Sequence, residues 1–232
     1  MLILILAESA LETIPEQLWN HPAVQKYSKL RRKHPRFLLL DRSFHHSAMK
    51  TLKHNMKRGR PDIVHFALLE ALGSPLNKEN LLQTYVHTIN NHVITVNPQT
   101  RLPRNYSRFL GLMEQLFESG KVPPKGSVLL TLEHKTLPQL IREVKPSRLI
   151  AFSRIGTRKT LEETTLKLSS EKRPTILVGG FPHGHFTKQT LKLADEIVCT
   201  DPQMLETWTV VSRVVYEYER ALSLPKKRLE RR

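Results

Sequence analysis

The chain opens with six apolar residues, "MLILIL", before its first charge at Glu8. A short run apolar at every position predicts a strand buried on both faces over residues 2–6. Behind it, Leu11, Ile14 and Leu18 recur at helical spacing, which predicts a helix in "ESALETIPEQLW". "KYSKLRRKHPR" reads as a basic loop or a helix end, and "FLLLD" (37–41) as a second buried strand. "RSFHHSAMKTLKHNMKRGRPD" is a polar, basic connection that closes at Gly59 and Pro61. "IVHFALLEAL" (63–72) is almost continuously apolar and reads as a fully buried strand, with a buried helix as the alternative. "YVHTINNHVITVN" (85–97) predicts a hairpin turning at Asn90-Asn91, because asparagine tolerates the left-handed backbone of tight turns.

Beyond the hairpin, Phe109, Met113, Leu116 and Phe117 form one stripe and predict a helix over residues 105–119, stopped by Gly120 and the prolines at 123 and 124. The rest alternates. Strand "SVLLTL" precedes helix "LPQLIREV", strand "RLIAF", helix "KTLEETTLKLSS", strand "TILVGG", helix "TKQTLKLA", strand "EIVCT" and a long helix over residues 203–222. Alternation of this kind implies a parallel sheet of the α/β class. The tail "PKKRLERR" reads as a solvated charge run.

Charge narrows the function. Lys plus Arg is 37 against 21 for Asp plus Glu, a net charge of +16 on 232 residues. Such an excess points to a polyanion, nucleic acid foremost. The single cysteine, Cys199, excludes an internal disulfide framework, fits a reducing compartment and reads as a buried thiol rather than a nucleophile. "MLILIL" lacks a basic leader and is too short for a signal sequence or a membrane span. A soluble cytoplasmic protein with no membrane partner is expected.

Four stretches can carry chemistry. "SRIGTRKT" and "GGFPHGHF" are glycine-bearing turns after strands, where open α/β sheets bind ligands, and Gly179, Gly180 and Gly184 would let backbone approach one. Neither turn fits the dinucleotide or P-loop fingerprints, which disfavours nucleotide hydrolysis. "RGRPDIVH" sets Arg60 and Asp62 around Pro61, either as a plain salt bridge or as an acid/base pair at a cleft. "NPQTRLPRNYSRF" (97–109) carries Arg101, Arg104 and Arg108 with no acidic residue among them. Arg104 and Arg108, four apart at a helix start, are expected to share a face, with Tyr106 and Phe109 offering area for packing or base stacking. The adjacent histidines of "FHHS" do not converge, and with no cysteine cluster or HExxH no metal site is expected.

"DRSFHHSAM", "GRPDIVHFALLEALGSPLN", "NPQTRLPRNYSRFLGLMEQL" and "VGGFPHG", in that order, resemble the archaeal and eukaryotic small-subunit ribosomal RNA pseudouridine methyltransferases. These form the nucleolar-essential, ribosome-biogenesis branch of the SPOUT superfamily. The likeness runs from Leu2 to the last helix. It implies one α/β domain over residues 1–232 with a deep C-terminal trefoil knot and an RNA-binding hairpin-and-helix insertion around residues 41–120. It also implies a homodimer, S-adenosylmethionine as cofactor, and methylation of N1 of a pseudouridine in small-subunit ribosomal RNA. Ribosomal assembly proteins would be further partners. Carried over by position, the cofactor residues are Phe152, Gly179, Gly184 and the run Thr200, Asp201, Pro202, Gln203, Met204 and Leu205. Arg60, Arg101, Arg104 and Arg108 would hold RNA, and Asp62 with Arg60 would serve the chemistry. The sulfonium is already activated, so no metal is required. Two positions depart from the pattern. His185 stands where relatives often carry an acid after "PHG", and "CTDPQML" matches the last cofactor loop loosely. The alternative is an RNA-binding assembly factor for the small subunit whose methyl transfer is dispensable.

Overall fold

A strand with no polar face must sit between two apolar layers, and β1 (Leu2–Ser9) is buried at every position. Its side chains alternate. Leu2, Leu4 and Leu6 enter the larger core, whereas Ile3, Ile5 and Ala7 enter a second core on the other side of the sheet.

The computed structural model describes residues 1–230. After β1 come α1 (Pro22–Arg31), α2 (Arg42–Met49), α3 (Pro61–Gly73) and the short α4 (Pro75–Lys78). The hairpin β2 (Leu82–Thr88) and β3 (His92–Val96) leads to α5 (Tyr106–Ser119), β4 (Lys121–Val122) and β5 (Leu130–His134). The remainder alternates as α6 (Leu137–Val144), β6 (Arg148–Arg158), α7 (Leu161–Ser169), β7 (Pro174–Gly179), α8 (Lys188–Leu191), β8 (Glu196–Cys199), α9 (Thr207–Ala221) and α10 (Leu224–Glu230). The tail "PKKRLERR" therefore continues as helix to Glu230, and its last two arginines lie outside the described residues.

One eight-stranded sheet runs in the order β4-β5-β3-β2-β1-β7-β6-β8. Strands β2, β1, β7, β6 and β8 are parallel, whereas β3, β5 and β4 are antiparallel to their neighbours. The sheet is thus mixed. The hairpin turn, with Asn91 at φ 57°, reverses the chain at β3, and β5 pairs antiparallel on β3's outer edge instead of starting a parallel repeat.

Four segments differ from the sequence expectations. Residues 10–21 hold only a single helical turn at Glu16–Leu18, because Pro15 supplies no N–H and the stretch instead bonds to residues 38–40. "FLLLD" is extended but stays out of the sheet. Leu38 and Leu40 pack with Ile14, Leu18, Val24 and Met49 in a satellite core, and only one bridge, Thr13 to Leu39, forms. "IVHFALLEAL" is the buried helix α3, begun by Pro61 in its first turn and built mostly of good helix formers. The connection at 42–60 contains α2, capped by the Asp41 carboxylate at 2.8 Å from the Ser43 N–H. Among the described residues no helix is long and apolar enough to cross a membrane.

Candidate active site

Strands β6, β7 and β8 run parallel and end on one side of the sheet, so their following loops converge. They wall an open cleft of about 800 Å³, mouth included. Phe152, Val178, Leu205 and Val210 give it apolar walls, while Thr200, Gln203 and the Asp201 and Glu206 carboxylates supply polar groups. β6 slips register here. Phe152 and Thr157 both pair with Val198, so residues 153–156 bulge outward and bring Ser153 and Arg154 to the cleft. The Thr207 hydroxyl donates to the Gly179 carbonyl at 2.7 Å and ties the start of α9 to the end of β7.

The structure brings together most of the cleft residues singled out from sequence. Phe152, Gly179, Gly184, Thr200, Asp201, Gln203, Met204 and Leu205 all line it. Pro202 lies in the same loop, off the wall. Gly180 has a different reason to be glycine, since a Cβ there would stand 2.1 Å from the Ser9 hydroxyl, inside the packing of the loop on β1. Gly184 has φ +92°, a backbone region that side-chain-bearing residues avoid. The Cys199 thiol is buried and donates to the Asp201 carbonyl at 3.2 Å.

Arg60 and Asp62 stand at the start of α3, not before a strand. The guanidinium holds the carboxylate at both oxygens, Nε to Oδ1 at 2.8 Å and Nη2 to Oδ2 at 2.7 Å. That hydrogen-bonded pairing raises Arg60 above its ordinary value, and the Glu206 carboxylate on the cleft wall adds to it. The pair and the cleft are therefore electrostatic neighbours.

Arg101, Arg104 and Arg108 are exposed, and among the described residues none forms an ion pair. The expected shared helical face is absent. α5 begins at Tyr106, capped by the Asn105 side chain at 3.1 Å from the Arg108 N–H, so Arg104 belongs to the loop before the cap. The expected stacking area is also spent internally. Phe109 is fully buried with the His65 ring stacked on it at 4.3 Å, and the Tyr106 hydroxyl donates to Asp41 at 2.6 Å. Burial, and then Asp41, push that phenol well above its usual range. His65 Nε2 meets the Pro103 carbonyl at 2.7 Å and holds the arginine loop against α3. Sequence reasoning passed over His65, Asp41 and Asn105 as supports of this loop. Only Asn105, a cap residue before an apolar stripe, carried a local signal.

The adjacent histidines diverge. His45 is buried, with Nδ1 accepting from the Asp41 N–H at 3.0 Å, whereas His46 faces solvent. Among the described residues no three His, Cys, Asp or Glu side chains converge on a common point.

Comparison with known proteins adds a family and close relatives. The family model for the EMG1/NEP1 methyltransferases matches residues 4–219. Ribosomal RNA small subunit methyltransferase Nep1 of Pyrococcus furiosus is 46% identical over 216 residues, covering 93% of this chain and 95% of the relative. The Nep1 of Thermococcus kodakarensis is 46% identical over 224 residues, covering 97% and 100%. The crystal structure of Archaeoglobus fulgidus Nep1 bound to S-adenosylhomocysteine superposes with a TM-score of 0.84 at 38% identity, over 95% of this chain and 98% of that one.

Proposed function

Because the chain belongs to the EMG1/NEP1 methyltransferase family, we propose that it transfers the methyl group of S-adenosylmethionine to N1 of a pseudouridine in small-subunit ribosomal RNA. One observation carries this reading: a relative of the same fold over nearly its whole length holds S-adenosylhomocysteine, and this chain has a cleft at the ends of β6, β7 and β8 whose lining suits such a molecule. The cleft fits that group. Its apolar walls suit an adenine and a thioether, the open backbone at Gly184 lets a ligand lie close, and the Asp201 and Glu206 carboxylates suit a cation. Phe152, Gly179, Gly184 and residues 200–205 would hold it. When bound, S-adenosylmethionine supplies a methyl group on positively charged sulfur, activated for displacement.

The chain's own residues have two tasks. Pseudouridine carries its sugar on carbon, so N1 retains a hydrogen that must leave as the methyl arrives. Asp62 Oδ2 accepts from both Nε and Nη2 of the guanidinium, whereas Oδ1 accepts one such bond and keeps a further lone pair, with which the carboxylate accepts the N1–H and then its proton. Arg60 directs its charge toward that point and offsets negative charge on the pyrimidine oxygens. Alignment of N1 with the methyl supplies much of the rate, on the order of 7–11 kcal/mol in the best-oriented systems. Arg101, Arg104 and Arg108 bind phosphates of the RNA, a role that their exposure and lack of carboxylate partners support.

The resemblance carries further parts of the reading. The loops around β6, β7 and β8 form a trefoil knot within one domain over residues 1–232, and residues around 41–120 form the RNA-binding insertion. Two copies associate through the face of α3, α7 and α9, where Phe66, Leu166 and Tyr216 stand 47, 61 and 56% exposed. The enzyme works in the cytoplasm, and ribosomal assembly proteins are its further partners. The test is mass spectrometry of ribosomal RNA hairpins carrying uridine or pseudouridine at the target, after incubation with protein and cofactor. A mass gain of one methyl on the pseudouridine hairpin alone is the expected result, and a gain on neither overturns the reading.

A further inference from the structure

Between Leu6 and Ser9 the pairing of β1 with β2 slips, so that Ala7 and Glu8 together face His87. Glu8 occupies the slip with φ +52°, a left-handed backbone that a glutamate adopts at a cost. Bulges beside functional sites re-aim a side chain. This one turns the Glu8 carboxylate off the sheet and toward the loop that walls the cleft. Oε1 accepts from the Thr187 N–H at 2.8 Å, and Oε2 from Lys57 Nζ at 2.9 Å. Lys57 also donates to the His185 carbonyl and lies 4.2 Å from the centre of the Phe181 ring. Its Cε stands 3.3 Å from where a Cβ on Gly184 would be. Phe181, Gly184 and His185 are wall residues of the cleft, whereas Glu8 and Lys57 are not.

The Glu8–Lys57 pair thus fastens three points of the 181–187 loop, Phe181, His185 and Thr187, to the end of β1. Apart from this clamp the loop is anchored by Phe186, buried in the second core with Phe181 edge-on to it, whereas the stretch between them has a glycine with positive φ and no strand pairing. Burial works to raise the Glu8 carboxyl, but Lys57, the Thr187 N–H and Thr190 outweigh it and hold it below the usual carboxylate range. The Glu8 carboxyl is therefore ionised at neutral pH, and the pair is largely shielded from solvent.

We propose that Lys57, set by Glu8, is a positioning residue for cofactor binding: it holds the 181–187 wall in the shape that accepts S-adenosylmethionine. This rests on the reading of the cleft as the cofactor site. A binding wall that is competent only part of the time weakens affinity by that fraction. Releasing the loop so that about a tenth of molecules are competent would weaken binding about 10-fold.

The experiment is calorimetric titration of S-adenosylhomocysteine into the full chain, with hairpin affinity and single-turnover methylation measured alongside. For Lys57→Met, the expected result is a Kd raised about 10-fold, hairpin affinity unchanged, and a rate at saturating cofactor within threefold of the parent. Glu8→Gln keeps the side-chain size and an acceptor for Thr187, and covers the case in which Lys57→Met does not fold. Its Kd should rise by several-fold, and in the double variant the two effects should fall short of adding, because both act through one clamp. A folded Lys57→Met or Glu8→Gln protein that binds like the parent, whatever its thermal stability, overturns the proposal while leaving the cofactor site in place. A parent that binds no S-adenosylhomocysteine overturns the cofactor reading and this proposal with it.

Discussion

Arg60 clasps Asp62 across Pro61, with three hydrogen bonds of 2.7, 2.8 and 3.1 Å between one guanidinium and one carboxylate. The grip is tight enough to be purely structural, and Asp62→Asn separates the possibilities. Asparagine keeps the size and an acceptor oxygen but cannot take a proton. If Asp62 accepts the N1 proton, cofactor and RNA affinities stay within a few fold and single-turnover methylation drops by ~100-fold or more. High pH then partly restores the rate, because the pyrimidine N–H ionises unaided. A fall in RNA binding and thermal stability in step with activity, with no recovery at high pH, would assign Asp62 to structure alone.

Gly184 reports on the cleft independently. Valine at φ +92° is strained, and its side chain would press on Lys57 and into the space left for a ligand. Gly184→Val should fold and lose S-adenosylhomocysteine binding, read by calorimetry. Unchanged affinity in the folded variant would place the cofactor elsewhere.

The exposed arginines predict a salt signature. Each phosphate contact removed should lower the magnitude of the slope of log K against log salt by about 0.7–0.9. Arg104→Ala and Arg108→Ala should each weaken hairpin binding this way and leave cofactor affinity intact. Parent-like titrations for both would make these arginines a plain solvated surface.

His45 makes the fold acid-sensitive. Burial lowers it to about 4 against an ordinary 6.5, with the nearby Asp41 opposing. The unfolded chain therefore takes up a proton between pH 6.5 and 4 that the folded chain does not, so stability is intact above pH 6.5 and falls as the pH drops through this window. The loss by pH 4 is about 3 kcal/mol. Urea unfolding at pH 7 and pH 4 should show His45→Gln losing less stability than the parent by about that amount. Parallel losses would show that His45 titrates alike in both states.

Glu12 is a second buried acid, held at both oxygens by Arg58 at 2.7 and 2.6 Å and by Asn90 at 2.6 Å. Removing it leaves a nearly buried guanidinium unpaired. Glu12→Ala should cost about 3 kcal/mol in denaturant unfolding, and Arg58→Ala added to it should cost little more. Additive losses would mean that the pair contributes nothing beyond its two separate side chains.

Local pattern made much of this architecture legible. The unbroken apolar run of β1, the stripe of α5, and the alternation from residue 137 onward are periodicities that survive without tertiary context. Where burial was complete, period was lost. Residues 63–72 read as a strand because helix α3 is apolar on nearly every side, although Ala67, Leu68, Leu69, Ala71 and Leu72 favour helix. Leu38–Leu40 look like a sheet strand but satisfy their backbone against residues 12–14. Gly179 was legible as a glycine turn after a strand, but Phe152 and Thr200 came from family likeness, since only the sheet order makes them neighbours. Glu8 and Lys57 offered no local sign. A glutamate at positive φ is invisible in sequence, and its partner lies 49 residues away.

The place of β1 in the sheet also governs how the chain is made. Ile3 pairs with Gln83 on one side and with Thr175 on the other, so β1 waits for more than 170 further residues to be synthesised before its second edge is covered. At translation speeds of roughly 5–20 residues per second, that edge stays open for about ten to thirty seconds. During that interval a largely apolar strand offers unpaired backbone to any neighbouring nascent chain. The longer that edge waits, the more crowding among nascent chains competes with native pairing.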